Sequence, residues 1–246
     1  MNRRGFLTLG AGGLAGVLHG TWNAQAAPRP QRDGQDEIPY GETRLAISNV
    51  ERQGTVYVPK AYKHGTSLPL LMMLHGFGGS GGSGRYGALA EEFGIVLVAP
   101  DSRDQTWGQS QPGFDLDSRY ISSTLRAVSG FLDIDRTHVG LGGISDGATY
   151  ALSMGLAYGD TFNHLMIFSE GIPIPYRRQG KPKIFIAHGI NDGQMPIDRT
   201  SRRFVPQFKA DGYDVTYREY DGGHGAPAAL IREGFGWFVG KTPTPL

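Results

Sequence analysis

The sequence predicts a mainly parallel α/β sheet with helices on both faces, and three observations carry that expectation. Segments of strand and helix character alternate along the chain. Several of the strand segments are continuous apolar runs, as strands covered on both sides must be. Every motif capable of chemistry falls at the carboxyl end of such a strand, where open α/β sheets place their sites.

The elements follow in order. Residues 43–50 and 55–59 read as a hairpin with Gln53-Gly54 at the bend. Residues 68–74 (LPLLMML) form an unbroken apolar run, a buried strand. Residues 86–93 read as a short helix, 95–99 as a second buried strand, and 116–132 carry helical spacing. A strand at 138–142 ends in glycines, and a helix at 148–158 follows. Strands are expected at 164–168, 183–188 and 215–220, with helices at 199–211 and 226–239. No internal repeat is visible.

A chain of 246 residues suits one domain with a substantial core. Hydrophobic residues at 39% and charged residues at 19% describe an ordinary globule rather than a disordered or fibrous chain. Cysteine is absent, which excludes disulfides, thiolate metal sites and a cysteine nucleophile.

The first 27 residues read as a removable export signal. Arg3 and Arg4 precede a mildly apolar, glycine-rich run at 6–18, and Ala24-Gln25-Ala26 gives the small-x-small pattern of a cleavage site. The paired arginines followed by Gly5-Phe6-Leu7 resemble a twin-arginine signal, so the expected destination is the periplasm or the exterior. The apolar run is too short for a membrane span, which needs ~20 apolar residues. A polar, proline-bearing linker is expected at 28–42, the folded domain at 43–240 and a short tail at 241–246. The chain holds 24 Lys and Arg against 23 Asp and Glu; losing Arg3 and Arg4 leaves 22 against 23. That balance offers no basic field for nucleic acid or an anionic membrane surface.

Gly143-Ile144-Ser145-Asp146-Gly147 fits G-x-S-x-G between a strand and a helix. In that turn the serine is strained and its hydroxyl stands exposed above the sheet, so Ser145 is the candidate nucleophile. His75-Gly76-Phe77-Gly78-Gly79 follows the strand at 68–74. Its glycines let backbone approach a substrate, and the Phe77 and Asp146 N–H groups are the candidate oxyanion donors. The Asp146 carboxylate would repel an oxyanion and is expected to point away. The glycine run lacks the G-K-[ST] ending of a phosphate loop. Asp192 follows the strand at 183–188, and His224 follows the strand at 215–220. Serine, acid and histidine thus occur in the order expected of such a triad, with His224 as general base and Asp192 as the acid that orients it. Asp198 lies at a helix start, and Asp221 is too close to His224 in sequence to come from another strand end. His138, His164 and His188 lie in or beside strands and read as packed, hydrogen-bonded histidines, and His75, placed before the glycine loop rather than above the serine, reads as structural. Trp107, Tyr86, Ile174, Tyr176 and Met195 are candidates for lining the substrate site.

The segments LMMLHGFGGSGG, IVLVAPDSRDQTWG, GLGGISDGATYALSMGL, IFIAHGINDGQMP and DGGHGAP together resemble the α/β-hydrolase superfamily. More narrowly they resemble its phospholipase/carboxylesterase branch, including polyhydroxybutyrate depolymerase-like and dienelactone-hydrolase-like esterases. The resemblance spans roughly 43–240. It implies the triad Ser145, Asp192 and His224, with oxyanion donors at Phe77 and Asp146. It departs at Asp146, where that branch often carries glutamine. Only residues 169–182 separate two strands where a cap domain could be inserted, so none is expected and the site should be open. These readings imply a serine carboxylic-ester hydrolase acting through an acyl-enzyme on small or chain-end esters, with no metal or organic cofactor. The same machinery would serve a thioesterase, amidase or lactonase, and the same fold could carry a non-catalytic binding protein.

Overall fold

The computed structural model describes residues 6–8, 38–47, 52–108 and 116–241. The expected export signal and linker lie mostly outside these residues, as does the tail beyond 241.

Among the described residues nine strands form a single sheet: β1 (Phe6–Thr8), β2 (Gly41–Ala46), β3 (Gly54–Val58), β4 (Leu68–Leu74), β5 (Val96–Pro100), β6 (Ile134–Ile144), β7 (His164–Phe168), β8 (Lys183–Gly189) and β9 (Val215–Tyr220). Their spatial order is β1-β2-β3-β5-β4-β6-β7-β8-β9. The six strands from β5 across to β9 run parallel, whereas β3 is antiparallel to both β2 and β5. The helices are α1 (Gly84–Phe93), α2 (Leu116–Phe131), α3 (Asp146–Ala157), α4 (Ser201–Ala210) and α5 (Ala228–Phe238).

Side-chain alternation along the central strands splits the core into two layers. Leu70, Met72, Leu74, Val96, Val98, Ile167 and Ile186 face the layer built with α2, α3 and α4. Leu71, Met73, Leu97, Met166, Phe168 and Phe185 face the layer built with α1 and α5. These strands are buried on both sides, which is why their sequences read as apolar runs without alternation.

From β4 the chain crosses to β5 on one side and then returns to β6 on the other. Strand order reverses at β4/β6, and such a reversal opens a crevice at the carboxyl ends of the strands. His75 follows β4 and Ser145 follows β6, and the two strands pair with Leu74 opposite Gly143. The register therefore brings the glycine loop and the serine turn together.

Several boundaries differ from the sequence expectation. β2 begins at Gly41, two residues inside the expected linker. β6 begins at Ile134 rather than 138, because Ile134 already pairs with Leu68 of β4, and the polar residues 135–137 fall in the register shift before Val139 meets Leu70. The helix expected at 199–211 is two elements: a 3₁₀ turn, Ile197–Arg199, and then α4, separated by Thr200 at φ −121°, ψ −108°. Segment 169–182 contains neither helix nor strand. No helix among the described residues is long and apolar enough to cross a membrane.

The turn around Ser145 tolerates no larger residue at its flanks. A Cβ on Gly143 would lie 2.6 Å from the Gly147 carbonyl carbon, and one on Gly147 would lie 2.4 Å from the His75 carbonyl oxygen. Gly130, exposed on α2, has nothing within 4 Å of such a Cβ. Gly143→Ala should therefore lower stability by about 1–3 kcal/mol, while Gly130→Ala should raise it by about 0.5–1 kcal/mol. Urea denaturation midpoints of the two variants check the opposite signs.

Candidate active site

Ser145 follows β6 and caps α3 with φ 57°, ψ −120°. A left-handed φ at a non-glycine residue costs energy and persists only where its surroundings enforce it. Here the Ser145 amide donates to the Phe168 carbonyl (2.9 Å), and its own carbonyl accepts from the Thr149 amide (2.9 Å). The hydroxyl is thereby turned off the sheet at the positive end of a helix.

Ser145 Oγ lies 2.7 Å from His224 Nε2, and His224 Nδ1 lies 2.7 Å from Asp192 Oδ2. Serine, imidazole and carboxylate, from three strand ends, form one hydrogen-bonded series. The Asp192 side chain is 0% exposed and that of His224 is 14% exposed, so the acid is sealed while the base reaches the surface. Asp192 Oδ1 accepts from the Gln194 amide (2.9 Å) and the Met195 amide (2.8 Å). Burial would push this carboxyl up, but the Met195 amide, His224 and the Gln194 amide outweigh it and hold the group below its ordinary value.

The loop after β4 is braced by side chains. His75 Nδ1–H donates to the Gly76 carbonyl (2.7 Å), and His75 Nε2 accepts from the Ser102 amide (3.0 Å). Burial lowers the His75 pKa, in keeping with a neutral ring that donates at one nitrogen and accepts at the other. Gly78 N–H donates to the Gln105 carbonyl (2.8 Å), and Gly79 N–H donates to the Gly76 carbonyl (3.1 Å). A Cβ on Gly76 would stand 3.5 Å from Ser145 Cβ, so this loop lies directly against the serine. Phe77 is 69% exposed beside it.

Of the five residues expected to line the substrate site, the structure keeps one at the serine. Met195 sits at the first turn of α3: a Cβ on Gly171 would meet Met195 Sδ and Thr149 Oγ1, each at 3.1 Å. Trp107 is corrected to a core residue, 1% exposed, because its indole N–H donates to the His75 carbonyl (2.8 Å) and its ring packs on Tyr150. It braces the loop from beneath. Tyr86 is partly buried against the core layer of α5, its ring stacked on Phe235 at 6.0 Å, and burial pushes its phenol up to about 12. Ile174 and Tyr176 are exposed, but segment 169–182 carries them along α3 away from Ser145. The Gly171 amide meets Thr149 Oγ1 (2.7 Å), the Ile174 amide meets Ser153 Oγ (2.9 Å), and Arg177 Nε meets the Ala157 carbonyl (3.1 Å). At 1.5 Å of rise per residue, Ser153 stands roughly 12 Å along the axis from the serine. Tyr176 packs on Tyr158, just past the far end of the helix.

Sequence reasoning missed the residues that hold the histidine loop. Ser169 Oγ donates to the Gly225 carbonyl (2.8 Å) and accepts from the Gly225 amide (3.2 Å), and Tyr220 Oη donates to the same carbonyl (2.8 Å). Ser169 itself has φ 49°. The available signal was a polar Ser-Glu pair directly after the fully buried strand β7. It also missed the partners of His188, described below. No cluster of metal-ligating side chains is present among the described residues.

Because the folded-state pKa of Asp192 lies below its unfolded value of about 3.9, its stabilising contribution is complete above that value and is lost as pH falls through the folded pKa. Asp192→Asn should therefore lose less stability than the parent between pH 6 and pH 3, as read from urea midpoints. An equal loss in both proteins would mean that the carboxylate adds nothing to acid sensitivity.

No family model matches the sequence, and no curated protein matches it. Solved structures do match. Esterase PE8 is 20% identical with a TM-score of 0.63, covering 78% of this chain and 100% of its own. Esterase 2 of Thermogutta terrifontis, in a structure phosphoramylated by tabun, is 18% identical with a TM-score of 0.64, covering 82% of this chain and 93% of its own. An S-formylglutathione hydrolase from Agrobacterium tumefaciens is 18% identical with a TM-score of 0.57, covering 76% of this chain and 88% of its own. Likeness at these identities is a likeness of architecture, and with the sheet order above it gives this chain the α/β-hydrolase fold.

Proposed function

We propose that the chain is a serine carboxylic-ester hydrolase that works through an acyl-enzyme on small or chain-end esters. The observation that carries this reading is the unbroken series Ser145–His224–Asp192, with 2.7 Å at each step, at the carboxyl ends of three strands. A scaffold protein has no use for a base held within hydrogen-bond reach of a strained serine.

In the proposed reaction His224 Nε2 takes the Ser145 hydroxyl proton as Oγ bonds to the acyl carbon. The carbonyl oxygen becomes negative and is met by the Phe77 and Asp146 amides. His224 returns the proton to the departing alkoxide, which leaves as an alcohol and leaves an acyl-serine. Water then repeats the sequence: His224 takes its proton, the acyl–Oγ bond breaks, and Ser145 recovers its proton as the carboxylic acid departs. Asp192 holds the imidazole in the tautomer with hydrogen on Nδ1 and stabilises the cation between transfers. The chain requires no cofactor for these steps. The lack of any helix or strand at 169–182 and the exposure of Phe77 and Ile190 support an open site for a small acyl group or the end of a longer chain.

Thioester cleavage is the second reading. It takes support from the S-formylglutathione hydrolase among the similar folds, whose named substrate carries its acyl group on sulfur. For localisation, Arg3-Arg4 before the run at 6–18 and the Ala24-Gln25-Ala26 site support export through a twin-arginine route to the periplasm or beyond.

Ser145→Ala should lower turnover by ~10⁴-fold or more while leaving the melting temperature nearly unchanged. A fluorophosphonate probe should label the parent at Ser145, as mapped by mass spectrometry, and leave the variant unlabelled. Absence of labelling in the folded parent would favour a binding protein. A panel of p-nitrophenyl esters, thioesters and lactones then ranks the chemistries, with esters expected to show the highest kcat/KM.

A further inference from the structure

Behind Asp192 lies a polar group that the proposed chemistry leaves unused. Glu170 and His188 are each 0% exposed, a setting in which ionisable side chains are almost never left unpaired. Glu170 comes just after β7 and His188 from the end of β8, and these strands are paired neighbours. Ser201, also 0% exposed, opens α4 above them.

Hydrogen-bond chemistry assigns the protons. His188 Nε2 lies 2.8 Å from the Met195 carbonyl oxygen and 3.1 Å from Asp192 Oδ2. A carbonyl oxygen only accepts, so Nε2 carries a hydrogen. On the other side of the ring, Ser201 Oγ donates its single hydrogen to Glu170 Oε1 at 2.6 Å. The same Oγ lies 2.7 Å from His188 Nδ1, and Glu170 Oε2 lies 3.3 Å from it. With Glu170 as an ionised carboxylate, the Ser201 hydrogen is committed to it, which leaves His188 Nδ1 to donate as well.

Asp192 Oδ2 is thus shared by two imidazoles, His224 at 2.7 Å and His188 at 3.1 Å. We infer that His188 is a positioning residue: a buried imidazolium, clamped between Glu170 and Asp192, that fixes the direction of the triad carboxylate toward His224. The catalytic consequence rests on the ester-hydrolase reading; the clamp on the carboxylate does not.

The surroundings agree. The groups facing the ring are Glu170 from the end of β7, Asp192 and the Met195 carbonyl from the loop after β8, Ser201 from α4, and Tyr217 and Glu219 from β9. Glu219, opposite His188 in register, is itself held by Arg202, which also binds Asp198. Burial would lower the His188 pKa, but the Glu170 hydrogen bond and charge, the Met195 carbonyl and Asp192 outweigh it and raise the pKa above the ordinary imidazole value.

The test compares His188→Gln, whose side-chain amide retains a donor toward Asp192, with His188→Leu, which retains none. In substrate-free proton NMR the His224 Nδ1–H resonance, which reports the hydrogen bond to Asp192, should keep its position in His188→Gln and move or broaden in His188→Leu. kcat should fall about tenfold in His188→Leu with KM little changed, and recover in His188→Gln. A purely structural role would leave the resonance of the folded His188→Leu variant where the parent has it, and that result overturns the proposal. Should His188→Leu fail to fold, the ¹⁵N shifts of the parent's His188 ring at neutral pH decide: two protonated nitrogens support the proposal, and a neutral ring overturns it. Because the resonance is read without substrate, failure of ester hydrolysis would refute the functional reading separately from this one.

Discussion

The left-handed backbone at Ser145 is the constraint on which the site depends. Its φ of 57° would relax if the neighbouring chains allowed it. They do not, because Gly143, Gly147 and the His75 carbonyl meet at distances that leave no room for a methyl group. The pairing of β4 with β6 sets those distances, and the fully buried strands on both sides set the pairing. Packing over the whole sheet is thereby converted into the orientation of one hydroxyl. The glycine loop then comes into place against the serine without any separate device, since it leaves the adjacent strand at the same height.

Acid and base are held in contrasting ways. Asp192 accepts from two amides and two imidazoles, and it is sealed from solvent. A carboxylate with that many donors has little freedom to turn and little tendency to take up a proton. His224 sits on a glycine-flanked loop between Gly223 and Gly225. The loop is tied down by Ser169 and Tyr220 rather than by secondary structure. The carboxylate is rigid and sealed, whereas the imidazole stays accessible.

Much of this was legible in the sequence. β4, β7 and β9 were bounded correctly because two-sided burial or clear flanking turns mark their ends. Ser145, Asp192 and His224 were found because each follows a strand with glycine close by, and the structure brings the three together. What stayed hidden depends on partners distant in the chain. Asp135-Arg136-Thr137 looks like a turn in isolation and joins the strand only as an irregularity between Ile134, paired with Leu68, and Val139, paired with Leu70. Trp107 follows a strand end as a site residue would, yet its indole is claimed by a carbonyl 32 positions earlier. Ser169 reaches the histidine loop across 56 positions. The polar Ser169-Glu170 pair after the apolar run marks the place but does not say which distant segment it meets.

The stapling of segment 169–182 along α3 carries an evolutionary corollary. Its bonds at Thr149, Ser153 and Ala157 attach this segment to α3, the helix that follows Ser145, at three successive levels. Sequence added at its outer turn, around Arg178, would hang from the distal end of that helix without loading the serine turn. A lineage could grow a roof from this point, or an engineer graft one, and so narrow the range of admitted molecules while the reactive centre keeps its geometry.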